Sequence, residues 1–326
     1  MWLDAKNPKL SLSPKQLLQW TKRLALGLDN LGIGRGEVCL IYSPNTIYIP
    51  VAYLGIVGGL RCFSAVNPAY TVPEIVHQLN NTEAKCLFVH PALLDNALAA
   101  AQKAGLPKEK IFLFNDEQCS PKNGVKDWRE MLATPSEAEK YQWPALKAEE
   151  SVSTVATINY SSGTTGLPKG VCISHHALIS QVEQTSFMRW YPGLKKGERP
   201  DERWIGFLPL YHAYGQLYVN LMATKIRIPV YIMKAFVYTE FLQHIQDYKI
   251  THLQVAPPIL VMMVRLPRPS CAVSFADFWI SRPANLPVEQ AARNIQLRPL
   301  KRQRHPMRRS SPRPRTPERS SKTLQR

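Results

Sequence analysis

Along residues 1–264, short apolar runs alternate with segments whose apolar residues recur every three or four positions. Leu17, Trp20, Leu24, Leu28 and Leu31 fall at helical spacing. Ser13-Pro14 supplies an N-cap and a first-turn proline for that helix, and Asn30 and Gly32 help to end it. Val38 to Tyr42 is a continuous apolar run closed by Ser-Pro-Asn, which predicts a strand. The same reading predicts a buried helix over 47–60, a strand over 62–66 and a helix from Pro73. It then predicts a strand over 86–89, a helix over 91–104 and a strand over 111–114. Residues 115–150 are more polar and read as a loop or surface excursion. The pattern resumes with strands near 155–158 and 171–173 and a helix from His176. Strands follow at 204–208 and 226–233, a helix at 239–248, a strand at 250–255 and an apolar helix at 259–264. Short apolar strands between helices imply an α/β fold of repeated βα units with mainly parallel sheets.

Charge divides the chain. Residues 265–326 hold 15 Lys/Arg and 3 Asp/Glu, so they carry +12 of the formal +17. Nine of the 27 prolines lie there, and no hydrophobic period survives. Such a composition cannot bury enough apolar surface to offset its ordering entropy. The expectation is a folded 1–264, a transitional 265–281 and a disordered Arg/Pro/Ser-rich 282–326. The six cysteines (39, 62, 86, 119, 172, 271) show no metal or redox spacing and read as thiols of a reduced, intracellular protein. No basic-then-apolar leader opens the chain, and the longest apolar run, 47–60, is too short to span a bilayer.

The most specific chemistry lies at 160–171, Tyr-Ser-Ser-Gly-Thr-Thr-Gly-Leu-Pro-Lys-Gly-Val, after an apolar strand. Glycines let the backbone approach a ligand, so successive N–H groups and hydroxyls can donate to phosphate oxygens while a lysine adds a point charge. Ser161, Ser162, Gly163, Thr164, Thr165, Gly166, Lys169 and Gly170 are the candidate phosphate-binding set, and a polyphosphate is the expected ligand. The spacing is not that of the common P-loop, because Leu-Pro separates Gly166 from Lys169. A second candidate is Leu208-Pro-Leu-Tyr-His-Ala-Tyr-Gly215, where a strand meets a proline and a helix follows. The turn would project His212 and Tyr214 at the C-terminal edge of the sheet, where open α/β sheets bind ligands. On residues alone, a capping or packed histidine is the favoured reading of His212, ahead of a group that orients a carboxylate.

The order Ser-Ser-Gly-Thr-Thr-Gly-Leu-Pro-Lys-Gly resembles the phosphate loop of the adenylate-forming enzymes, which include acyl-CoA synthetases, 4-coumarate–CoA ligases and luciferases. Pro-x-x-His-x-x-Gly, some forty residues later, looks like the next motif of that family. Tyr42-Ser-Pro-Asn45, Val66-Asn-Pro-Ala-Tyr-Thr71 and Val255-Ala-Pro-Pro258 are similar to the 4-coumarate–CoA ligase branch. The resemblance covers about 3–264 and implies the large N-terminal, AMP-binding domain of such an enzyme. It implies ATP, Mg2+ and CoA as reaction partners and a small carboxylate as substrate. It assigns the phosphates to Ser161–Thr165 and Lys169, and the acyl pocket to His212, Tyr214 and Gly215. A CoA-contacting lysine is expected just before Phe236; that position is Ala235, and Lys234, one step earlier, is the candidate.

Departures carry equal weight. The family's aromatic-Gly-x-Thr-Glu string, which supplies an α-phosphate contact and a Mg2+ carboxylate, does not occur in the 326 residues. The later ribose-binding Asp and the small C-terminal domain with its catalytic lysine are also not recognised. The expectation is an incomplete large domain whose last sixty-odd residues derive from a shifted reading frame or misassigned exon. A non-catalytic nucleotide-binding remnant is the rival reading. Binding of nucleic acid through Lys301-Arg-Gln-Arg304 and Arg308-Arg309 is a weaker one, since no aromatics interleave. Cys172, His175 and His176 lack a fourth metal ligand, and no Gly-x-Ser-x-Gly elbow supports a hydrolase. A peroxisomal address suits such ligases, but Thr-Leu-Gln-Arg at the terminus is not one, so a cytoplasmic protein is expected.

Overall fold

A computed structural model describes residues 1–161, 168–190, 198 and 200–265 of the chain. Ser162, Gly163, Thr164, Thr165 and Gly166, and the expected disordered tail 282–326, lie outside the described residues. The strands are β1 (Trp2–Asp4), β2 (Ser11–Leu12), β3 (Val38–Tyr42), β4 (Cys62–Ala65), β5 (Cys86–Val89) and β6 (Ile111–Leu113). They continue with β7 (Lys126–Asp127), β8 (Val155–Ser161), β9 (Lys169–Ser174), β10 (Trp204–Gly206) and β11 (Val230–Ile232). One sheet runs β7-β6-β5-β3-β4-β8-β9, parallel except for the antiparallel β8–β9 hairpin. The other runs β10-β11-β1-β2, parallel except for β1–β2. The α/β expectation with mostly parallel sheets holds.

The centre of the first sheet is covered on both faces, while β9 at its edge is largely exposed. β3 and β5 are buried at every residue, which explains their unbroken apolar sequences. On one face lie α1 (Pro14–Asn30) and α2 (Ile49–Gly58). Ser13 and Gln16 form a reciprocal capping box that starts α1, with Pro14 in the first turn. α2 is apolar on all sides and almost wholly buried. Its Gly55 lets α1 approach closely: a Cβ there would lie 2.9 Å from Leu24 Cδ2. On the other face, α3 (Val72–Thr82) and α4 (Leu94–Ala104) close a second core over Leu40, Leu87 and Leu113.

The segment read as a surface excursion is anchored instead. β7 joins the sheet edge, and Trp128 is fully buried among Trp20, Tyr48 and Phe114. Asp127, fully buried, pairs with Arg129 at 3.1 Å, and Arg129 also donates to the carbonyls of Asn115 and Asp116. A satisfied ion pair next to one buried indole gives a polar sequence a buried role. Two short helices follow, α5 (Pro135–Lys140) and α6 (Ala148–Ser153).

α7 (His175–Arg189) follows β9, capped by Ser174. Residues 213–226 then form one continuous helix, α8, whose middle, Gln216–Met222, is π-wound. The strand expected over 226–233 starts only at Val230, because Ile226 ends α8 and Arg227 takes a left-handed φ of 62°. The helix expected near 239–248 is α9 (Tyr238–Asp247). The strand expected over 250–255 is reduced to a bridge between His252 and Trp204. There Thr251 Oγ1 accepts from the Arg203 N–H at 2.9 Å, a side chain taking the place of a ladder partner. α10 (Pro257–Arg265) ends the described chain. No described helix is long and apolar enough to cross a membrane.

Asn45, just past β3, ties the two sheets together. Its Nδ2 donates to the carbonyls of Leu208 (3.0 Å) and Met233 (3.1 Å), and its Oδ1 accepts from the Leu210 N–H (2.9 Å). The side chain is 5 % exposed, so without it the Met233 carbonyl and the Leu210 N–H would be buried backbone groups stripped of this partner. Asn45→Ala is expected to destabilise the fold by about 2–4 kcal/mol, measured by urea unfolding. Asn45→Asp should be no better, because it sets an acceptor against two carbonyls; a loss below about 1 kcal/mol would count against the clamp.

Candidate nucleotide and carboxylate site

A cavity of about 330 Å3 opens at the C-terminal ends of β4 and β8. Its walls bring together the stem of the glycine-rich loop (Asn159, Tyr160, Ser161), the Asn67–Tyr70 turn, and Pro209, Tyr211 and His212. This is the position where parallel α/β sheets receive ligands. A larger cavity of about 480 Å3 lies at the opposite, N-terminal ends of β3, β5 and β6, and none of the sequence-predicted site residues line it. Residues of both sequence motifs line the smaller cavity, so it is the candidate site.

The two sequence motifs are fastened to each other by a pair of amides. Gln216, buried in the π-wound part of α8, donates through Nε2 to Asn159 Oδ1 at 2.7 Å and to the Tyr211 carbonyl at 2.6 Å. Asn159 Nδ2 lies 3.4 Å from Gln216 Oε1 in return. The strand leading into the glycine-rich loop is thereby locked to the turn that carries His212. π-winding is frequent at functional sites because the extra residue re-aims side chains.

His212 is the N-cap of α8: its Nδ1 accepts a long bond, 3.5 Å, from the Tyr214 N–H. The imidazole that caps α8 is also exposed and lines the cavity. Tyr214 does not line the cavity; its ring packs on Tyr218 at 4.6 Å, and burial raises its hydroxyl pKa. Gly215 is required by space: a Cβ would lie 2.4 Å from the Pro209 carbonyl oxygen. Ser161 and Lys169 face each other as the last rung of the β8–β9 hairpin, and both are exposed. Gly170 lies against Tyr160, whose ring carbons would be 3.3 Å from a Cβ.

Lys234 does not line the cavity. Its ammonium lies 2.9 Å from Asp116 and 3.5 Å from Asp4, two buried carboxylates. Asp116 also accepts from the Ile47 N–H at 3.1 Å. Like Asn45, Lys234 thus links the end of β11 to the first sheet. Among the described residues, no cluster of three or more His, Cys, Asp or Glu side chains is arranged to hold a metal.

Sequence reasoning did not find Asn159, Gln216 or Tyr211. Only the general rule that ligands bind beyond strand C-termini pointed near Asn159.

Burial pushes the Asp116 carboxyl above the usual carboxylate range, with Lys234 and the Ile47 N–H pulling it back. A carboxyl raised in the folded state costs stability once it ionises, so the cost appears above the unfolded pKa. Removing Lys234 enlarges that cost. Lys234→Met is expected to destabilise by about 1–2 kcal/mol at neutral pH, a modest figure because half of the lysine side chain is in solvent. The penalty should shrink as pH falls through the raised Asp116 pKa. Urea unfolding of both proteins at neutral pH and at about pH 4.5 checks this; equal penalties at the two values would contradict it.

The family described as AMP-binding enzyme matches residues 6–296. Acyl-CoA synthetase ACTT5 of Alternaria alternata is 31 % identical over 272 residues, covering 81 % of this chain and 44 % of that protein. The peroxisomal OPC-8:0-CoA ligase 1 of Arabidopsis thaliana is 32 % identical over 263 residues, covering 81 % and 45 %. Among solved structures, the luciferase-like enzyme of the mealworm Zophobas morio superposes with a TM-score of 0.70 at 22 % identity, covering 83 % of this chain and 59 % of that one. A red-emitting luciferase of Phrixothrix hirtus does so with 0.70 at 26 % identity, covering 82 % and 49 %. The chain therefore spans somewhat less than half the length of these two curated relatives. With the family match covering most of its length, and with acyl-CoA synthetases and 4-coumarate–CoA ligases among its relatives, this chain belongs to the AMP-binding, adenylate-forming enzyme family.

Proposed function

We propose that this chain contributes the phosphate-binding and carboxylate-binding walls of an ATP-dependent carboxylate–CoA ligase. In that reaction a carboxylate oxygen attacks the α-phosphorus of ATP, pyrophosphate leaves, and the resulting acyl-adenylate is attacked by the CoA thiol with release of AMP. The observation that carries the reading is the cavity shared by the stem of the glycine-rich loop and the His212 turn. A nucleotide entering between them would have its phosphates beside Ser161 and Lys169, and a carboxylate its reacting end beside His212. The transition state concentrates charge on phosphate oxygens, so donors fixed before the reaction are the catalytic resource.

In this reading Ser161 to Thr165 and Lys169 hold the β- and γ-phosphates, and Gly163, Gly166 and Gly170 let the backbone come close. His212 and Gly215 shape the acyl side, with Tyr214 behind them. The ion pairs of Lys234 with two buried carboxylates favour a structural role for it over contact with CoA. Mg2+ would neutralise phosphate charge, but the aromatic-Gly-x-Thr-Glu string that supplies its carboxylate is not in the sequence. The 326 residues alone are accordingly proposed to bind ATP without completing thioester formation. A cytoplasmic setting, with CoA and a small carboxylate as co-substrates, belongs to the same proposal.

Titration calorimetry with ATP, with and without Mg2+, is expected to give saturable binding that Lys169→Ala weakens at least about tenfold, the loss of one charge-assisted contact. An assay of the 326-residue chain with CoA and a panel of carboxylates should yield no acyl-CoA. Absence of ATP binding by soluble protein would sink the nucleotide reading; robust thioester synthesis would sink the proposed incompleteness.

A further inference from the structure

We propose that His77 and Asn81 of α3 are positioning residues that brace the two stems of the glycine-rich loop at Pro168 and Tyr160, and so hold the adjoining Lys169 and Ser161 in place for a polyphosphate. The inference rests on the nucleotide reading above and adds to it a device on a helix that carries none of the recognised motif.

His77 and Asn81 are four residues apart and so share one face of α3. His77 Nε2 lies 3.0 Å from the carbonyl oxygen of Pro168, the residue before β9. A carbonyl only accepts, so Nε2 carries the proton. One turn on, Asn81 Oδ1 accepts from the Tyr160 hydroxyl at the end of β8. Burial first, then the neighbouring Cys172 thiol and Tyr70, push the Tyr160 hydroxyl up to about 12, so it remains a donor at neutral pH. The Tyr160 ring stands edge-on to the His77 imidazole, with centroids 6.3 Å apart. Its other neighbour is Gly170, its partner in the hairpin register.

Between these two residues, Gln78 completes the attachment. It donates to Ser64 Oγ (3.1 Å) and to the Ala65 carbonyl (3.0 Å), and Ser64 donates to the Ile158 carbonyl (2.8 Å). α3 thus reaches β8 directly through Asn81 and by way of Ser64 through Gln78, and reaches the residue before β9 through His77. The ladder itself ends at the Ser161–Lys169 rung, so the Pro168 carbonyl beyond it is held by His77. Stem residues that are fixed beforehand lose less freedom when a ligand arrives, and that saving appears as affinity. Asn81 is exposed and His77 half-buried, so neither bond is central to the core. Their loss should open the hairpin end locally while leaving the global transition in place.

The test combines two readouts on wild type, His77→Ala, His77→Gln and Tyr160→Phe. One is the rate of trypsin cleavage after Lys169, followed by mass spectrometry; the other is calorimetric binding of MgATP. His77→Ala is expected to speed that cleavage and to weaken MgATP binding, each by about five- to tenfold, the worth of one hydrogen bond, with an unchanged thermal midpoint. His77→Gln, whose amide N–H can meet the same carbonyl, should restore most of both. Tyr160→Phe removes only the hydroxyl and should act in the same direction, which keeps the test intact if His77→Ala does not fold. Unchanged cleavage in both His77→Ala and Tyr160→Phe overturns the bracing whatever the ligand. Changes that Gln fails to rescue overturn the positioning role in favour of lost packing. Faster cleavage in the variants of a wild type that ignores MgATP overturns the nucleotide reading and supports the bracing.

Discussion

The carboxamide of Asn45 meets three backbone groups that no sheet ladder reaches: the carbonyls of Leu208 and Met233 and the N–H of Leu210. A single buried side chain thereby sets the seven-stranded sheet against the four-stranded one. Everything at the candidate site follows from that placement. The His212 turn begins two residues beyond Leu210, and the loop stem leaves β8 in the first sheet. If the sheets slid apart, the cavity between these motifs would lose one of its walls. Lys234, held by Asp116 and Asp4, reinforces the same joint with charge in place of an amide.

Burial on both faces made the central sheet legible. β3 and β5 are continuous apolar runs because helices cover both sides, and no other element gives that signal so cleanly. α1 announced itself through its cap and its stripe of leucines. Elements whose partners are remote were harder to read. β1 pairs with β11 more than two hundred residues away, and three residues carry no period. Lys126, Asp127 and Arg129 hid a buried tryptophan, because an ion pair satisfied within the protein has the same composition as a solvated turn. Near 250–255 the sequence was apolar enough for a strand, but Thr251 used its hydroxyl where a ladder bond would have been.

The same contrast divides the site. The glycine-rich loop is written in ten consecutive residues, and the His212 turn in eight. What joins them is not local. Asn159 and Gln216 are 57 positions apart, and each amide alone suits an ordinary surface residue. Sequence named the candidate groups; the structure shows that a polar bridge joins the segments that carry them. Such a bridge is worth keeping only when fully satisfied, and Gln216 achieves this by meeting Asn159 and the Tyr211 carbonyl together.

The π-wound stretch Gln216–Met222 has a consequence for how this protein can vary. It holds one residue more than ordinary winding of the same rise. Deleting a residue between Gln216 and Asn220 would let the helix relax and would rotate its upstream part against its downstream part by about 100°. Gln216 could then keep Asn159, or Asn220 could keep the Leu210 carbonyl that it reaches at 3.4 Å, but not both. Chain length is therefore frozen along this short stretch, while the identity of its outward side chains stays open to drift.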